Sequence, residues 1–296
     1  MTKLRTRHTT LPMTASAPDL ILLLYSDRSD AVARSLVEQA AALPYELLAM
    51  SLAQLVDEVE VGAVWNWRGR TIDPLRTAIV NRLALVETGD GAVPPLESSF
   101  LRQEFWTWLA GALRRFRYVS SLPSPLSPMG SFGSLADQWS ELPGLITGLR
   151  VPAHRPSGSA QALRGDVYVI DPWRLYSLGS RATAEHGSTP RGHLAYVRPA
   201  GKLFHVAQVG RAFIAPNAPP HLRREQWACV ESFTRAMSAL SSSRILEHAF
   251  FEGDEVPVFY STCPVPVITG RDPAYADLLV RGLHDDIESQ RERAAA

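Results

Sequence analysis

The chain has 296 residues, of which 46% are hydrophobic and 20% charged, and its formal net charge is zero. A chain of this size buries a substantial core and divides into about two domains. The balanced charge excludes a global field that would draw the molecule to nucleic acid or an anionic membrane, so we expect neither as a partner. Two cysteines, Cys229 and Cys263, are too few for a disulfide framework or a zinc site.

The start of the chain does not have the pattern of a secretory signal. Residues 1–18 lack the apolar core of a secretory signal, and no apolar run approaches the roughly 20 residues of a membrane span. We therefore expect 1–18 to form a flexible tail and the protein to be cytoplasmic.

Residues 19–120 alternate between strand and helix patterns, which predicts an N-terminal parallel α/β domain. The apolar run 20–25 predicts a strand, and Asp30 or Ser29 caps the alanine-rich helix that follows. The predicted elements are strands at 20–25, 45–50 and 62–67, and helices at 30–43, 52–59 and 97–116.

Residues 121–148 predict a Pro-, Ser- and Gly-rich loop followed by a linking helix at 135–147. From 149 to 296 the patterns change to short strands, which predicts an antiparallel sheet with helices. The predicted elements are a strand at 167–170, a meander at 193–198, 203–209 and 211–215, a hairpin at 244–251 and 256–260, and helices at 223–240 and 273–293.

Several short motifs follow one another along the chain, and their order is informative. They are Val-Trp-Asn-Trp-Arg at 64–68, Glu104, Gly-Leu-Arg-Val-Pro at 148–152, the segments 195–198 and 206–210, Leu-Glu-His-Ala at 246–249 and Pro-Val-Pro at 264–266. In this order the chain resembles the ATP-grasp superfamily, particularly the microviridin-type ligases that mature ribosomal peptides and the glutathione-synthetase-like enzymes. The resemblance implies an α/β fold with a parallel N-terminal domain, a reduced central region and a C-terminal antiparallel sheet.

The chain differs from this family at the positions where the family's lysines bind phosphate. Lysine occurs only at Lys3 and Lys202, and Asp171 stands where the family has a phosphate-gripping lysine in Val-x-Lys-Pro. The segment 127–131 likewise lacks the lysine of the family's Asn-Lys-Pro loop. An anion opposite a triphosphate repels it strongly where solvent is excluded.

The metal-bearing strands also depart from the family pattern. Glu247 keeps a carboxylate, whereas Ser261 offers only a neutral hydroxyl where the family's Glu-x-Asn-Pro begins. Cys263, next to Pro264, is a poor ligand for magnesium, which prefers oxygen, and we interpret it as a buried structural residue. His193 and His205 would lie on neighbouring strands and could bind zinc, but no third ligand stands at a convincing spacing, which favours ordinary strand-face histidines.

Two interpretations follow from these losses. The first is a pseudoenzyme without a cofactor, a binding or partner subunit in the biosynthesis of a peptide or an amino-acid-derived product. The alternative is an active carboxylate–amine ligase that uses ATP and Mg²⁺ through an arginine-based clamp. The residues implied for it are Arg198 at the transferring phosphoryl group, Glu247 and Ser261 at the metal, and Asp171, Arg174, Ser177 and Arg181 around the phosphates.

The N-terminal domain supplies the predicted partner surface. Trp65, Trp67, Arg68 and Arg70 lie close together in the sequence, and exposed tryptophan and arginine are common binding anchors. We expect a peptide or an enzyme to bind there, and a homodimer stays open.

Overall fold

The computed structural model describes residues 18–26, 30–83, 95–121, 133–156, 163–173, 175, 177–181, 192–241, 243–264 and 269–295. The predicted tail up to residue 17, the segment 127–131 and Arg174 lie outside this part of the chain. Among the described helices, none combines the length and the apolar character that crossing a membrane requires.

The described helices and strands follow one another in the order expected of a mixed α/β protein. The helices are α1 (Ala31–Glu38), α2 (Leu52–Glu58), α3 (Pro95–Leu113), α4 (Leu135–Leu145), α5 (Arg224–Leu240) and α6 (Pro273–Ala295), with 3₁₀ turns at Ala40–Ala42 and Thr269–Arg271. The strands are β1 (Leu20–Tyr25), β2 (Glu46–Ser51), β3 (Val59–Val61), β4 (Trp65–Trp67), β5 (Arg70–Ile72), β6 (Thr77–Arg82), β7 (Tyr118–Val119), β8 (His154–Pro156), β9 (Val167–Ile170), β10 (Ser180–Arg181), β11 (Leu194–Val197), β12 (Leu203–Val209), β13 (Ala212–Ile214), β14 (Ile245–Phe251) and β15 (Val258–Cys263).

A parallel sheet forms the N-terminal half, in the order β2-β1-β6-β7. Leucine and isoleucine fill β1 up to its last residue, so this strand is buried from both faces, and the strand predicted at 20–25 is confirmed. Asp30 caps α1, because its Oδ1 accepts a hydrogen bond from the Ala33 N–H at 2.8 Å. The predicted parallel α/β domain is therefore present.

The strand predicted at 62–67 is wrong in its position and partners. Residues 59–72 form a separate antiparallel sheet in the order β3-β4-β5. Arg68 and Gly69, with φ of 50° and 78°, form a two-residue turn that pairs Trp67 with Arg70. Such a turn joins antiparallel strands directly, so the chain makes a hairpin here. The third parallel strand is β6, whose residues are all buried.

Two further four-stranded sheets make up the second half. We call β10-β9-β11-β8 the central sheet and β13-β12-β14-β15 the C-terminal sheet. The continuous meander predicted through 193–215 is wrong, since β11 pairs with β8 and β9 while β12 pairs with β13 and β14. The N–H groups of Glu252 and Gly253 donate to the carbonyls of Lys202 and Ala200. These bonds hold the turn in which the chain passes from one sheet to the other.

Two packed cores join these layers. In one, α4 and α5 pack with both the central and the C-terminal sheets, around buried aromatic residues such as Trp139, Tyr196 and Phe233. In the other, the N-terminal parallel sheet and α6 pack against the C-terminal sheet. The central and C-terminal sheets thus share one apolar interior, and this interior borders the candidate site.

Candidate functional site

The candidate site is the cleft where the segment after β9 lies against the C-terminal sheet. Glu247 and Ala249 on β14 and His205 on β12 line it together with residues of β15. Because β12, β14 and β15 are neighbours in the sheet, side chains from all three meet on this face. The residues that line the cleft are Leu175, Leu178, Leu203, His205, Glu247, Ala249, Tyr260 and Ser261.

Glu247 is a buried carboxylate that accepts hydrogen bonds from the chain itself. It is 2% exposed, and its Oε2 accepts from the Thr269 N–H and the Thr269 hydroxyl, each at 2.6 Å. Burial of a charged carboxylate is costly unless hydrogen bonds compensate it, and Thr269 supplies two. The carboxylate predicted as a metal ligand therefore ties β14 to the 3₁₀ turn before α6.

His205 lies beside Glu247 in the cleft. Burial lowers the pKa of His205, while the Glu247 carboxylate acts in the opposite direction. The imidazole is therefore neutral at neutral pH. Its backbone N–H donates to Asn217 Oδ1 at 2.9 Å. His193 lies just before β11 and thus belongs to the central sheet, so the two histidines do not stand on neighbouring strands.

A β-bulge brings two consecutive side chains of β15 to the segment after β9. The pairing of β14 with β15 shifts between Ala249 and Phe250, which leaves Tyr260 as the extra residue. The Tyr260 hydroxyl donates to the Ser177 carbonyl at 2.6 Å, and the Ser261 hydroxyl donates to the Leu175 carbonyl at 2.9 Å. The hydroxyl proton of Ser261 is therefore used in a hydrogen bond to the chain's own backbone.

A second tyrosine bond completes the attachment of this segment. The Tyr196 hydroxyl donates to the Leu178 carbonyl at 2.7 Å, and burial raises the pKa of Tyr196 to about 12, so it stays protonated. Gly179 has φ of 69°, and a Cβ at this position would clash with the Val169 carbonyl. The chain thus needs glycine where it passes so close to β9. We call residues 175, 177 and 178 the plug.

The plug fills the cleft with leucine side chains. Leu175 is 4% exposed, and Leu178 packs against the same core. The cavity that remains among the lining residues measures about 10 Å³. That is about the volume one water molecule needs. The chain's own side chains therefore leave little free volume between the plug and the C-terminal sheet.

Solved structures of similar shape identify this architecture. The macrocyclase MdnC bound with precursor peptide MdnA from Microcystis aeruginosa MRC matches with a TM-score of 0.62 and 10% identity, over 91% of this chain and 99% of that one. The ATP-grasp ligase PsnB complexed with minimal precursor, Mg and ADP matches with a TM-score of 0.65 and 15% identity, over 89% and 98%. The chain has the ATP-grasp fold.

A more distant ATP-grasp-fold neighbour is D-alanine-D-alanine ligase from Aeromonas hydrophila, with a TM-score of 0.51 and 13% identity over 91% of this chain and 98% of that one. No protein-family model matches the chain, and no curated protein matches it. The resemblance drawn from the order of the motifs is confirmed at the level of the fold, and the mixed α/β class with it.

Asp171, Ser177 and Arg181, three of the residues predicted around the phosphates of an ATP-grasp site, make contacts within the chain. Asp171 Oδ1 accepts from the Trp173 N–H at 3.1 Å, which makes a local turn. The Ser177 hydroxyl accepts from the Gly179 N–H at 3.1 Å, and Arg181 pairs with Asp166 on the exposed surface. These residues therefore shape and flank the plug.

Arg198, the predicted catalytic arginine, lies on aromatic rings. Its guanidinium carbon is 5.7 Å from the centre of the Tyr168 ring and 5.9 Å from that of Phe251. Phe251 follows Glu247 by four residues on β14, which corresponds to about 13 Å along a strand. Arg198, which follows β11 of the central sheet, thus lies over the end of β14 about four residues from Glu247.

The side chains that meet here supply few oxygen ligands to a metal ion. Cys263 is 1% exposed, which confirms it as a buried residue, and its thiol does not suit magnesium. Among the residues whose placement is described, no three His, Cys, Asp or Glu side chains are grouped so that they could hold a metal ion. The residues that line the cleft thus offer one carboxylate, Glu247, and the neutral hydroxyl of Ser261, a sparse set of oxygen ligands for the magnesium that the fold family implies.

The predicted partner surface is only partly exposed. Trp65 is fully buried, packed edge-on against Phe116 at 5.0 Å, so its prediction as an exposed anchor is wrong. Trp65 faces inward because β4 alternates its side chains between the core and the solvent. Trp67 is half-buried with Arg68 over its ring at 5.1 Å. Arg68 pairs with Glu58, and Arg70 pairs with Glu46.

A buried polar network was missed by sequence reasoning. His248 Nε2 lies 2.7 Å from Gln208 Oε1, and His248 Nδ1 lies 2.8 Å from the Thr262 hydroxyl. The Gln208 amide nitrogen donates to the carbonyls of Gly210 and Thr234, which leaves Gln208 Oε1 as an acceptor. His248 therefore carries its proton on Nε2 and accepts from Thr262. Side chains alternate along β14, so His248 lies on the face opposite Glu247. This alternation is the feature of the sequence from which a buried His248 could have been predicted.

Proposed function

We propose that this ATP-grasp-fold protein is a non-catalytic binding or partner subunit in the biosynthesis of a peptide or an amino-acid-derived product. The observation that supports this proposal is the plug, because Leu175 and Leu178 leave a cavity of only about 10 Å³ in the cleft. Small-molecule sites usually offer roughly 300 Å³ or more. A nucleotide would therefore have to expel the plug before it could bind.

The chemistry of the surrounding groups supports the same proposal. Glu247 already accepts two hydrogen bonds from Thr269, and the Ser261 hydroxyl donates to the Leu175 carbonyl. These bonds hold both side chains in positions that the chain's own backbone dictates, so neither is free to turn toward a metal ion. Asp171 adds a negative charge where related enzymes place a cation.

The class of partner is proposed from the structural neighbours. MdnC was solved with its precursor peptide, and PsnB was solved with a minimal precursor. We therefore propose a peptide as the partner of this chain. Its candidate surface is the hairpin of β4 and β5, where Trp67, Arg68 and Arg70 reach the surface beside Glu58 and Glu46. Exposed ion pairs are worth little, so a ligand carboxylate can replace them at small cost.

Catalysis is tested by measuring ADP formation from Mg·ATP in the presence of mixed peptides. We expect the wild-type chain to form ADP no faster than the Glu247→Gln and Arg198→Gln variants. ADP formation that depends on both residues would instead establish the alternative function, an active carboxylate–amine ligase with an arginine clamp.

Peptide binding is tested by selection from a displayed library of random peptides. Selected peptides should bind the wild-type chain and lose most of their affinity for the Arg68→Gln/Arg70→Gln variant. Arg224→Gln, an exposed arginine at the start of α5, is the matched control and should bind normally. Peptides that bind the hairpin variant as well as they bind the wild-type chain would rule out this surface.

A further inference from the structure

A second cavity lies at the end of the C-terminal sheet that is remote from the plug. It has a volume of about 430 Å³, within the range of small-molecule sites. It shares no lining residue with the cleft. Its walls come from β13, α5, α6 and the loops beside them, and the lining residues that carry charge are Arg211, Glu231, Arg235, Arg244, Asp286 and Arg293.

The charges around this cavity are unbalanced. Four arginines face two carboxylates, which gives a net excess of two positive charges. Arg244 is already compensated, because its Nε lies 3.6 Å from Asp286 Oδ2 and both side chains are mostly buried. The side chains of Arg211 and Arg235 are exposed and form no ion pair or hydrogen bond with any residue that the structure describes. Their guanidinium groups are therefore available to an anion.

The backbone that carries Arg211 is fixed in place. Gly210 has φ of 57°, and a Cβ there would clash with Asp286, so the turn packs directly on α6. The Gly210 carbonyl accepts from the Ser238 hydroxyl at 2.7 Å and from the Gln208 amide at 2.8 Å. A preorganised turn lowers the cost of ordering the arginine when a ligand binds.

We propose that this cavity binds a small organic phosphate. Guanidinium groups approach it from several elements, which suits a tetrahedral phosphate whose oxygens point in different directions. The hydroxyl of Ser238 is also in the lining, but it donates to the Gly210 carbonyl, so the donors to phosphate are the guanidinium groups. Phe213 and Ala239 cover an apolar part of the wall, which suits the organic portion of the ligand.

Calorimetric titration of the full chain with phenyl phosphate and with inorganic phosphate, at constant ionic strength, tests this proposal. We expect saturable binding of phenyl phosphate that is tighter than binding of inorganic phosphate. The Arg211→Gln/Arg235→Gln variant should bind phenyl phosphate at least about tenfold more weakly, because each charged hydrogen bond it loses is a strong one.

The control is Arg224→Gln, which removes one exposed positive charge from the same helix as Arg235 without touching the cavity. It should bind phenyl phosphate like the wild-type chain. Absence of saturable binding to the wild-type chain would overturn the proposal, as would equal binding by the double variant. If inorganic phosphate binds as tightly as phenyl phosphate, the cavity does not recognise the organic group of the ligand, and that part of the proposal is wrong.

Discussion

At the scale of single residues, Glu247 is the carboxylate on which the two interpretations of this chain divide. If its role is to hold Thr269, Glu247→Ala removes two buried hydrogen bonds to a charged acceptor and leaves the Thr269 N–H unsatisfied. We expect the free energy of unfolding to fall by about 2–3 kcal/mol, measured by urea denaturation in the presence of EDTA.

The matched control is Glu231→Ala, which removes an exposed carboxylate on α5 and should change the free energy of unfolding by no more than about 0.5 kcal/mol. If Glu247 instead binds a metal ion, the opposite effect on the free energy of unfolding is expected. In that case the Glu247→Ala variant would be as stable as the wild-type chain in EDTA, and Mg²⁺ would stabilise the wild-type chain alone.

His248 gives the fold a defined response to acid. Complete burial lowers the pKa of His248 to about 3 from its ordinary value of 6.5. The unfolded chain therefore takes up a proton that the folded chain refuses, so stability is full above pH 6.5 and falls as the pH drops toward 3. Between pH 7 and pH 5 the loss from this residue is about 2 kcal/mol.

Urea denaturation of the wild-type chain and of His248→Gln at both pH values measures this contribution. Glutamine offers a donor and an acceptor to Gln208 and Thr262 but does not titrate. We expect the variant to lose about 2 kcal/mol less than the wild-type chain over this range. Equal losses in the two proteins would show that His248 is protonated in the folded state.

At the scale of elements, the plug is held by hydroxyl groups that can be removed without changing its leucines. The variant Tyr260→Phe/Ser261→Ala deletes the donors to the Ser177 and Leu175 carbonyls. We expect amide hydrogen exchange in a peptide covering the plug to become at least about tenfold faster, because each bond contributes about 1 kcal/mol. Exchange along β12 should stay unchanged, and uniformly faster exchange would mean that the whole fold has been weakened instead.

The elements also show what sequence could and could not predict. Periodicity within a segment predicted β1, α5 and β12 nearly to the residue, because their apolar patterns report a local burial. Partners were harder, since the crossing between β11 and β12 depends on bonds from residues 252 and 253, about fifty positions away. Thr269 and Glu247 are also distant in the sequence, so their hydrogen bond could not be predicted. The Glu247 carboxylate itself was found from its motif.

At the scale of the whole molecule, the closed cleft is part of a continuous aromatic core. Trp139 of α4 lies 5.4 Å from Tyr196 of the central sheet and 5.7 Å from Tyr260 of the C-terminal sheet, between ring centres. Its indole N–H donates to the Tyr260 carbonyl at 2.6 Å. Separating the two sheets would expose these rings to water, at a cost that grows with the apolar area uncovered.

The most direct measurement is therefore a calorimetric titration of the full chain with Mg²⁺ and AMPPNP. With the plug in the cleft, no lysine among the cleft's lining residues, and Glu247 engaged by Thr269, the titration should show no saturable binding below millimolar nucleotide. A micromolar dissociation constant that Glu247→Ala and Arg198→Ala abolish would contradict this account and show that the cleft opens to a working nucleotide site.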